Sequence, residues 1–330
     1  MNFSEIIGQD DIKALMKAAI KNKKISHAYI INGEEGAGKM MLAEAFAATL
    51  LCAAEGEDAC GQCKSCAQAA NRNNPDIIYV THEKEAISVD DIREQINDTI
   101  VIKPYSSKHK IYIVDDAQKM NVQAMNALLK TIEEPPSYGV IILLTTNADK
   151  FLPTILSRCV QIDMKPIKDE QIISYLRKKY DVVDYQAQVC AAFSQGNLGK
   201  AISLIGSEDF NLIKERVLKL VKRLESYDSY NIDMTIKELS DMREKTSDFL
   251  ELLTLWYRDV LLYKSTLSDE KLIFQDEVFT IKEQALKFSY EGIEEILKTI
   301  KEATARLNSN VNYELTLEMM FLKMQSGQRR

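Results

Sequence analysis

The chain has 330 residues, enough for two or three domains of ordinary size. Hydrophobic residues make up 46% of it and charged residues 28%, a balance that is typical of a globular protein and excludes a wholly disordered one. Lys and Arg number 42 and Asp and Glu 49, so the net charge is −7, and neither half of the chain is basic. This charge disfavours a dedicated, sequence-independent DNA-binding protein, although it allows membership of a larger DNA-binding assembly.

The first half of the chain alternates helical and strand patterns. It opens with an amphipathic helix, whose predicted core face is Ile12, Leu15, Met16, Ala19 and Ile20. Short apolar runs predict strands at residues 27–32, 77–80, 111–114 and 140–145. One intervening helix starts at about Met40, and another is ended by Pro135 and Pro136. Strands separated by helices in this way predict an α/β domain with a parallel sheet covered on both faces.

The strand signals stop after Pro166. Residues 167–206 are typical of a small helical unit, which is interrupted by a glycine-containing turn at residues 196–199. From about Asp209 the pattern predicts long amphipathic helices, the first with a core face of Leu212, Val217, Leu220 and Val221. We therefore predict three parts: an α/β domain at residues 1–165, a helical lid at 166–208 and an α-helical C-terminal domain at 209–330.

The N-terminus and the apolar runs indicate the compartment. No apolar run reaches the 18 or so residues that a membrane span requires. The first residues, MNFSEIIGQDDIK, are acidic and polar where a signal peptide would carry Lys or Arg and then an apolar stretch. We predict a cytoplasmic protein without a membrane partner. Its six cysteines are then interpreted as thiols or metal ligands before disulfides.

A glycine-rich loop follows the first predicted strand. Residues 33–40 read GEEGAGKM and fit G-x-x-x-x-G-K between a strand and a helix, the context that a nucleotide-binding loop requires. The backbone N–H groups of such a loop surround phosphates, and its lysine reaches the terminal phosphates. We predict that Gly33, Gly36, Gly38 and Lys39 descend from such a loop. The alternative is a plain strand-to-helix turn with a chance lysine.

Two departures weaken this predicted nucleotide site. Lys39 is followed by Met40, where a Ser or Thr hydroxyl would bind Mg²⁺, and a thioether is a poor ligand for that cation. The strand at 111–114 ends in Asp115, a candidate Mg²⁺ ligand, and then Asp116. Working ATPases of this kind usually carry Glu at the second position to activate water, and Asp is one methylene shorter. Together these changes make ATP binding doubtful.

Four cysteines lie close together in the sequence: Cys52, Cys60, Cys63 and Cys66. Four thiolates suit a tetrahedral Zn²⁺ ion, and a site with four protein ligands is structural because no coordination position is left open. The alternatives are an Fe–S cluster, which uses similar spacings, and four unrelated thiols. We predict a structural zinc centre.

These motifs, taken in order, resemble those of a known family. The strand–G-x-x-x-x-G-K–helix unit is followed by the four-cysteine insertion, then VDDA at residues 114–117 and NALLKTIEEPP at 126–136. TTN at 145–147 and LSRC at 156–159 come next. The set is similar to the bacterial clamp-loader AAA+ proteins, the delta prime (δ′) and gamma/tau (γ/τ) subunits of DNA polymerase III. The resemblance is close over residues 3–205 and is one of layout beyond them, apart from WYRDVL at 256–261.

The departures from the family pattern favour one of the two subunit types. The γ/τ motor carries Lys-Thr or Lys-Ser in its loop and a lid arginine, in a G-S-L-R-x-A pattern, that contacts the γ-phosphate. Here Met40 follows Lys39, and residues 196–201 read GNLGKA, with Gly199 in place of the arginine. The resemblance therefore implies a δ′-type subunit.

The resemblance also implies a function. Such a subunit is a rigid, non-hydrolysing member, or stator, of a ring that also contains γ/τ and δ subunits and loads the sliding clamp onto primed DNA. Its SRC motif would supply Arg158 to the ATP site of the neighbouring γ/τ subunit, where a guanidinium neutralises charge developing on the γ-phosphate. The C-terminal domain would be the oligomerisation collar.

Two other functions remain as alternatives. An ATP-hydrolysing, γ/τ-like motor is supported by Lys39 and Asp115. A free-standing zinc protein that binds nucleic acid is disfavoured by the even, acidic charge distribution.

Overall fold

The computed structural model describes residues 2–82, 85–309 and 311–328. The chain divides into two compact units. The N-terminal unit is Met1–Ile172 with Gly196–Gly199, and the C-terminal unit is Ile173–Gln195 with Lys200–Arg330. Within the described ranges, none of the helices has the length and apolar character needed to cross a bilayer.

A five-stranded parallel sheet forms the centre of the N-terminal unit, in the order β2-β3-β4-β1-β5. Its strands are β1 (Ala28–Asn32), β2 (Ile77–Val80), β3 (Lys110–Val114), β4 (Gly139–Thr145) and β5 (Val160–Asp163). The first four lie where the apolar runs predict them, which confirms the parallel α/β fold. The edge strand β5 is missed by the sequence pattern because, among its residues, Ile162 alone is buried.

Helices cover both faces of this sheet. They are α1 (Asp10–Lys21), α2 (Lys39–Leu50), α3 (Lys64–Ala70), α4 (Val89–Ile92), α5 (Asp98–Ile100), α6 (Val122–Glu133) and α7 (Pro153–Leu156), with a π-helical stretch, Arg93–Asn97, between α4 and α5. Alternate residues of β1 point to opposite faces, so Ile31 packs in one core with Phe46 of α2 and Ile30 in the other with Leu128 of α6. The sheet is therefore buried on both sides, as its apolar strands require.

The predicted core face of α1 is wrong at one position. Ile12 and Met16 are buried and Ile20 packs against the core, but Leu15 is 54% exposed. The helix thus contacts the core along a narrow line of residues spaced by four, and Leu15 lies beside that line.

The remaining helices confirm a helical C-terminal region. They are α8 (Asp169–Tyr180), α9 (Asp184–Ser194), α10 (Leu198–Leu204), α11 (Glu208–Arg223), α12 (Ser229–Ser240), α13 (Thr246–Thr266), α14 (Val278–Lys287), α15 (Tyr290–Asn308) and α16 (Tyr313–Gln328). Trp256 of α13 is fully buried, and its Nε1–H donates to Oε1 of Gln284 at 2.8 Å. In α11 the predicted core residues Val217, Leu220 and Val221 are buried, whereas the prediction for Leu212 is wrong, since it is 41% exposed.

Candidate nucleotide loop and four-cysteine centre

The glycine loop connects β1 to α2 at the carboxyl edge of the sheet. Gly36 and Gly38 have φ values of 79° and 93°, a region that glycine adopts without the steric cost of a side chain. Gly38 is the residue immediately before α2, so the first N–H groups of that helix lie at the loop. The backbone thus has the strand–loop–helix arrangement of a phosphate-binding loop.

Lys39 is directed into the loop itself. Its Nζ donates to the carbonyl oxygens of Gly33 and Glu34, each at 2.8 Å, and the residue is buried. Burial lowers the pKa of Lys39, and the nearby carboxylates of Asp115, Asp116 and Glu35 oppose that lowering. The lysine and the two aspartates are therefore brought together, as a nucleotide site would require.

The two aspartates after β3 have different surroundings. Asp115 is exposed, and one of its oxygens accepts the N–H of Asp116 at 3.0 Å. Asp116 has φ 46° and forms an ion pair with Lys119 at 2.7 Å, and its other oxygen accepts from Gln118 at 3.0 Å. The hydrogen bond from Lys119 holds the pKa of Asp116 below its usual range. A carboxylate stabilised in this way is a weakened general base.

Residues 196–199 contact the glycine loop directly. The N–H of Gly199 donates to the carbonyl oxygen of Gly36 at 3.0 Å, and Nδ2 of Asn197 donates to the carbonyl oxygen of Glu35 at 2.6 Å. A Cβ atom at residue 199 would lie 2.6 Å from that Gly36 oxygen and 2.7 Å from the Gly36 Cα. No residue with a side chain fits there while the backbones keep this approach.

Two methionines add apolar surface to the loop. Met40, at the position where a hydroxyl would bind Mg²⁺, packs against the core between the sheet and α2. Met164 follows β5 and covers the start of the loop, because a Cβ atom on Gly33 would lie 3.0 Å from the Met164 Cβ. These thioethers offer Mg²⁺ no oxygen ligand.

Arg158 lies at the amino-terminal ends of the parallel strands, whereas the glycine loop lies at their carboxyl-terminal ends. It comes two residues before β5, and β5 pairs in parallel with β1 from Tyr29 to Asn32. The loop follows β1, so the two sites are separated by about a strand length, roughly 13 Å. The Arg158 guanidinium is partly exposed, donates to the carbonyl oxygen of Thr154 at 3.0 Å and lies 3.1 Å from Oε1 of Glu133.

The four predicted cysteines form a compact cluster. Their Sγ atoms all lie within 4.8 Å of one another, and those of Cys60 and Cys66 are 4.0 Å apart. A tetrahedral Zn²⁺ with Zn–S bonds of about 2.3 Å would separate its sulfurs by about 3.8 Å. The cluster thus matches a closed four-thiolate site in donor type, in number and in size.

Backbone N–H groups support three of these sulfurs. The amide of Cys60 donates to Sγ of Cys52, that of Cys63 to Cys60, and that of Cys66 to Cys63, each at 3.4 Å. Such donors favour the thiolate form, and they lower the pKa of Cys60 and bring that of Cys63 to about 6. Burial has the opposite effect on Cys66 and raises its pKa to about 12. A bound cation would be the group that stabilises the charged form at this buried sulfur.

Ion pairs and hydrogen bonds attach the cysteine segment to its surroundings. The carboxylate of Asp58 accepts the N–H of Phe3 at 2.8 Å and the hydroxyl of Ser4 at 3.0 Å. Lys21 of α1 lies 2.7 Å from Glu57. The segment is therefore anchored to the N-terminus and to α1 as well as by its own sulfurs.

Sequence reasoning missed several parts of these surroundings. It did not identify Asn197 and Met164 as neighbours of the glycine loop, or Lys119 as the partner of Asp116. The position of residues 196–199 in the lid pattern is the one signal that points toward the first contact. The apolar cover from Met164 has no local signal, because it depends on the pairing of β5 with β1.

Comparisons with known proteins agree with the motifs. Two family models, described as "DNA polymerase III, delta subunit" and "DNA polymerase III, delta subunit, C terminal", match residues 8–168 and 212–326. The delta prime subunit of DNA polymerase III from Bacillus subtilis is 29% identical over 97% of this chain and 97% of its own length. The tau subunit from the same organism is 30% identical over 96% of this chain, which spans 60% of that longer protein.

One solved structure aligns with nearly the whole chain. The crystal structure of a DNA polymerase III gamma subunit-related protein from Thermotoga maritima covers 96% of this chain and 99% of its own, with 20% identity and a TM-score of 0.44. Assignment rests on the sequence matches, which together span both units of the fold. The chain belongs to the family of DNA polymerase III clamp-loader subunits that includes delta prime and gamma/tau.

Proposed function

We propose that the chain is a δ′-type stator, which hydrolyses no ATP and, together with γ/τ and δ subunits, helps to load the sliding clamp onto primed DNA. The observation that carries this proposal is the approach of Gly199 to Gly36, with the hydrogen bond of 3.0 Å between them. The motor subunits of the family carry an arginine where this chain has Gly199. An arginine, or any other side chain, would collide with the loop backbone here.

The chemistry of the loop supports the same proposal. Met40 offers no oxygen to Mg²⁺, and Asp116 is held by Lys119 and Gln118. Hydrolysis needs both the metal and a group that orients water. This chain lacks the hydroxyl that would bind the metal, and its Asp116 carboxylate is already occupied by other side chains.

Calorimetry of the full chain with MgATP tests the loop, with Lys39→Ala as the matched baseline. We expect no binding heat at millimolar nucleotide and no difference between the two proteins. Micromolar binding that is lost in Lys39→Ala would refute a dead loop, and a turnover assay would then separate a nucleotide-locked stator from a motor.

We propose further that Arg158 acts in trans, in the ATP site of a neighbouring γ/τ subunit. Its position at the amino-terminal ends of the strands supports this role, since the glycine loop of the same chain lies at the carboxyl-terminal ends, too far from Arg158 for it to act in cis. Its contacts with Glu133 and Thr154 are at a partly exposed surface, from which a partner's phosphate could draw it away. The test is the DNA-stimulated ATPase of a complex reconstituted with Arg158→Ala.

We also propose that one structural Zn²⁺ is bound by Cys52, Cys60, Cys63 and Cys66. The closeness of the four sulfurs supports this proposal.

We propose further that the chain has three parts, at residues 1–165, 166–208 and 209–330, of which the last forms the oligomerisation collar. A cytoplasmic location is proposed together with the δ′-type function. Limited proteolysis of the full chain tests the division, with cleavage expected near residues 166 and 208.

An ATP-hydrolysing motor is the second candidate. It is favoured by the match to the tau subunit over 96% of this chain and by the retained Lys39, whose Nζ lies inside the loop near Asp115. A motor would turn over ATP in a complex that has no other intact ATP site, and Lys39→Ala would abolish that turnover. The stator proposal predicts the same background ATP turnover for the unaltered chain and for Lys39→Ala.

A further inference from the structure

We propose that the C-terminal unit contains a binding site for a phosphate group, in a cavity of about 310 Å³ between α11 and α12. Among the described residues, three cationic side chains line it, those of Arg216, Lys219 and Arg223, together with one carboxylate, that of Glu238. These lining residues carry a net charge of +2 in a chain whose total is −7. A cavity of this volume lies at the lower end of the range for small-ligand sites.

The spacing of the cations along α11 explains why they meet in one place. Residues 216, 219 and 223 are three and four positions apart, so they lie on one face of the helix. The other lysines of α11 are paired elsewhere: Lys214 lies 3.1 Å from Asp276 and Lys222 lies 2.6 Å from Glu277. Among the residues that the structure describes, neither Lys219 nor Arg223 forms an ion pair.

Arg216 is fixed in position. Its Nη1 donates to the carbonyl oxygen of Glu238 in α12 at 2.9 Å, while its Nε stays 4.0 Å from the Glu238 carboxylate. The carbonyl orients the guanidinium and occupies one of its five donors, while the Glu238 carboxylate at 4.0 Å offsets part of its charge. The cavity therefore combines one oriented cation with two that have no carboxylate partner in the described chain.

The neutral polar groups of the lining are largely occupied within the protein. The hydroxyl of Ser226 donates to the carbonyl oxygen of Arg223 at 2.8 Å, that of Thr235 donates to the carbonyl oxygen of Asn231 at 2.9 Å, and Nδ2 of Asn231 donates to Asp228 at 2.6 Å. The cationic side chains are therefore the groups that would bind the phosphate oxygens. Below them lie apolar side chains, among them the buried Phe249, which lower the local dielectric and strengthen charge–charge interactions. The end of α11 and the start of α12 contribute partial charges of opposite sign, about half a charge each, so the side-chain charges decide the preference.

Two sources could supply the phosphate: a free small anion or the backbone of a nucleic acid. The experiment uses the full chain and two probes, sodium pyrophosphate and a short DNA duplex, each titrated by calorimetry at low salt. We expect one pyrophosphate per chain, with affinity that falls as salt is raised. If the duplex binds more tightly than pyrophosphate at the same site, the source is nucleic acid; if it does not compete, the source is a small anion.

Variants distinguish this site from other anion sites. Lys219→Ala/Arg223→Ala should weaken pyrophosphate binding at least about tenfold, because each removes a charge-assisted contact. Lys222→Ala, which removes one charge from another face of the same helix, should change it less than about twofold. Lys39→Ala should leave it unchanged, which separates this site from the glycine loop and from the proposed function. Equal loss in the Lys222 control, or no binding of either probe to the unaltered chain, would overturn the proposal.

Discussion

The substitution Gly199→Ala tests the contact between residues 196–199 and the glycine loop. Gly199 is the second residue of α10, and helix propensity alone would favour alanine over glycine there by about 1 kcal/mol. The structure reverses this sign. The new Cβ would lie 2.6 Å from the oxygen and 2.7 Å from the Cα of Gly36, which are backbone atoms that no rotamer change can move away.

The magnitude follows from the two ways in which the protein can respond. Keeping the contact means overpacking, which costs typically about 1–3 kcal/mol. Separating the segments breaks the Gly199–Gly36 and Asn197–Glu35 hydrogen bonds, at about 0.5–1.5 kcal/mol each. Either response costs about 1–3 kcal/mol, centred at about 2 kcal/mol, and the gain in propensity leaves a net destabilisation of the closed loop of about 1 kcal/mol.

Hydrogen exchange read by mass spectrometry measures this directly in peptides that span residues 33–38. We expect exchange about fivefold faster in Gly199→Ala, because local opening controls these amides. Gly56→Ala is the matched control, since its Cβ would meet its nearest neighbour at 3.5 Å, an ordinary contact, and it should leave the loop unchanged. Unchanged or slower exchange in Gly199→Ala would refute the reasoning, because helix propensity would then be the whole effect.

Three further predictions concern other parts of the chain. Zinc should be present at one ion per chain, and Cys66→Ser should lose it and lower Tm by more than about 5 °C, whereas Cys159→Ser should retain it; iron, or no metal under reducing conditions, would contradict this. Arg158→Ala should reduce the DNA-stimulated ATPase of the reconstituted complex by roughly 10³-fold, whereas Arg177→Ala, which removes a surface arginine of α8 paired with Asp184 at 2.6 Å, should not; full activity of Arg158→Ala would remove the in trans role. Burial raises the pKa of Asp259 to about 6, so its contribution to stability is present at acid pH and is lost as pH rises through about 6. Urea unfolding followed by the fluorescence of Trp256 should show this loss between about pH 4 and 6 and a flatter profile in Asp259→Asn; parallel profiles would exclude Asp259 as the cause.

Much of the fold could be predicted because its signals are local. The runs that form β1 to β4 are apolar except at their ends, because strands buried on both faces need apolar side chains on both faces. The apolar pattern does not predict burial correctly where an element is half exposed. In β5 one residue is buried, and Leu15 and Leu212 are apolar side chains that face solvent. Hydrophobic pattern reports which residues could be buried, and packing selects among them.

The candidate sites divide in the same way. The spacing of Cys52, Cys60, Cys63 and Cys66 predicted a cluster because the ligands lie within one short segment, and the structure brings their sulfurs within 4.8 Å. The carboxylate of Asp116, by contrast, could be recognised as a departure from the family pattern but not as a partner of Lys119. The orientation of a surface carboxylate depends on the turn that holds it.

The sequence by itself determined the α/β and helical regions, the glycine loop, the four-cysteine centre and the family, because each depends on residues that are near one another along the chain. Only the tertiary structure decided that Asn197 contacts Glu35, 162 positions away, and that Gly199 packs on Gly36. It also decided that Arg158 lies at the amino-terminal ends of the strands, away from the glycine loop. Contacts of this kind arise when strands pair and helices pack. Since they form between segments with no sequence relation to one another, no local pattern records them.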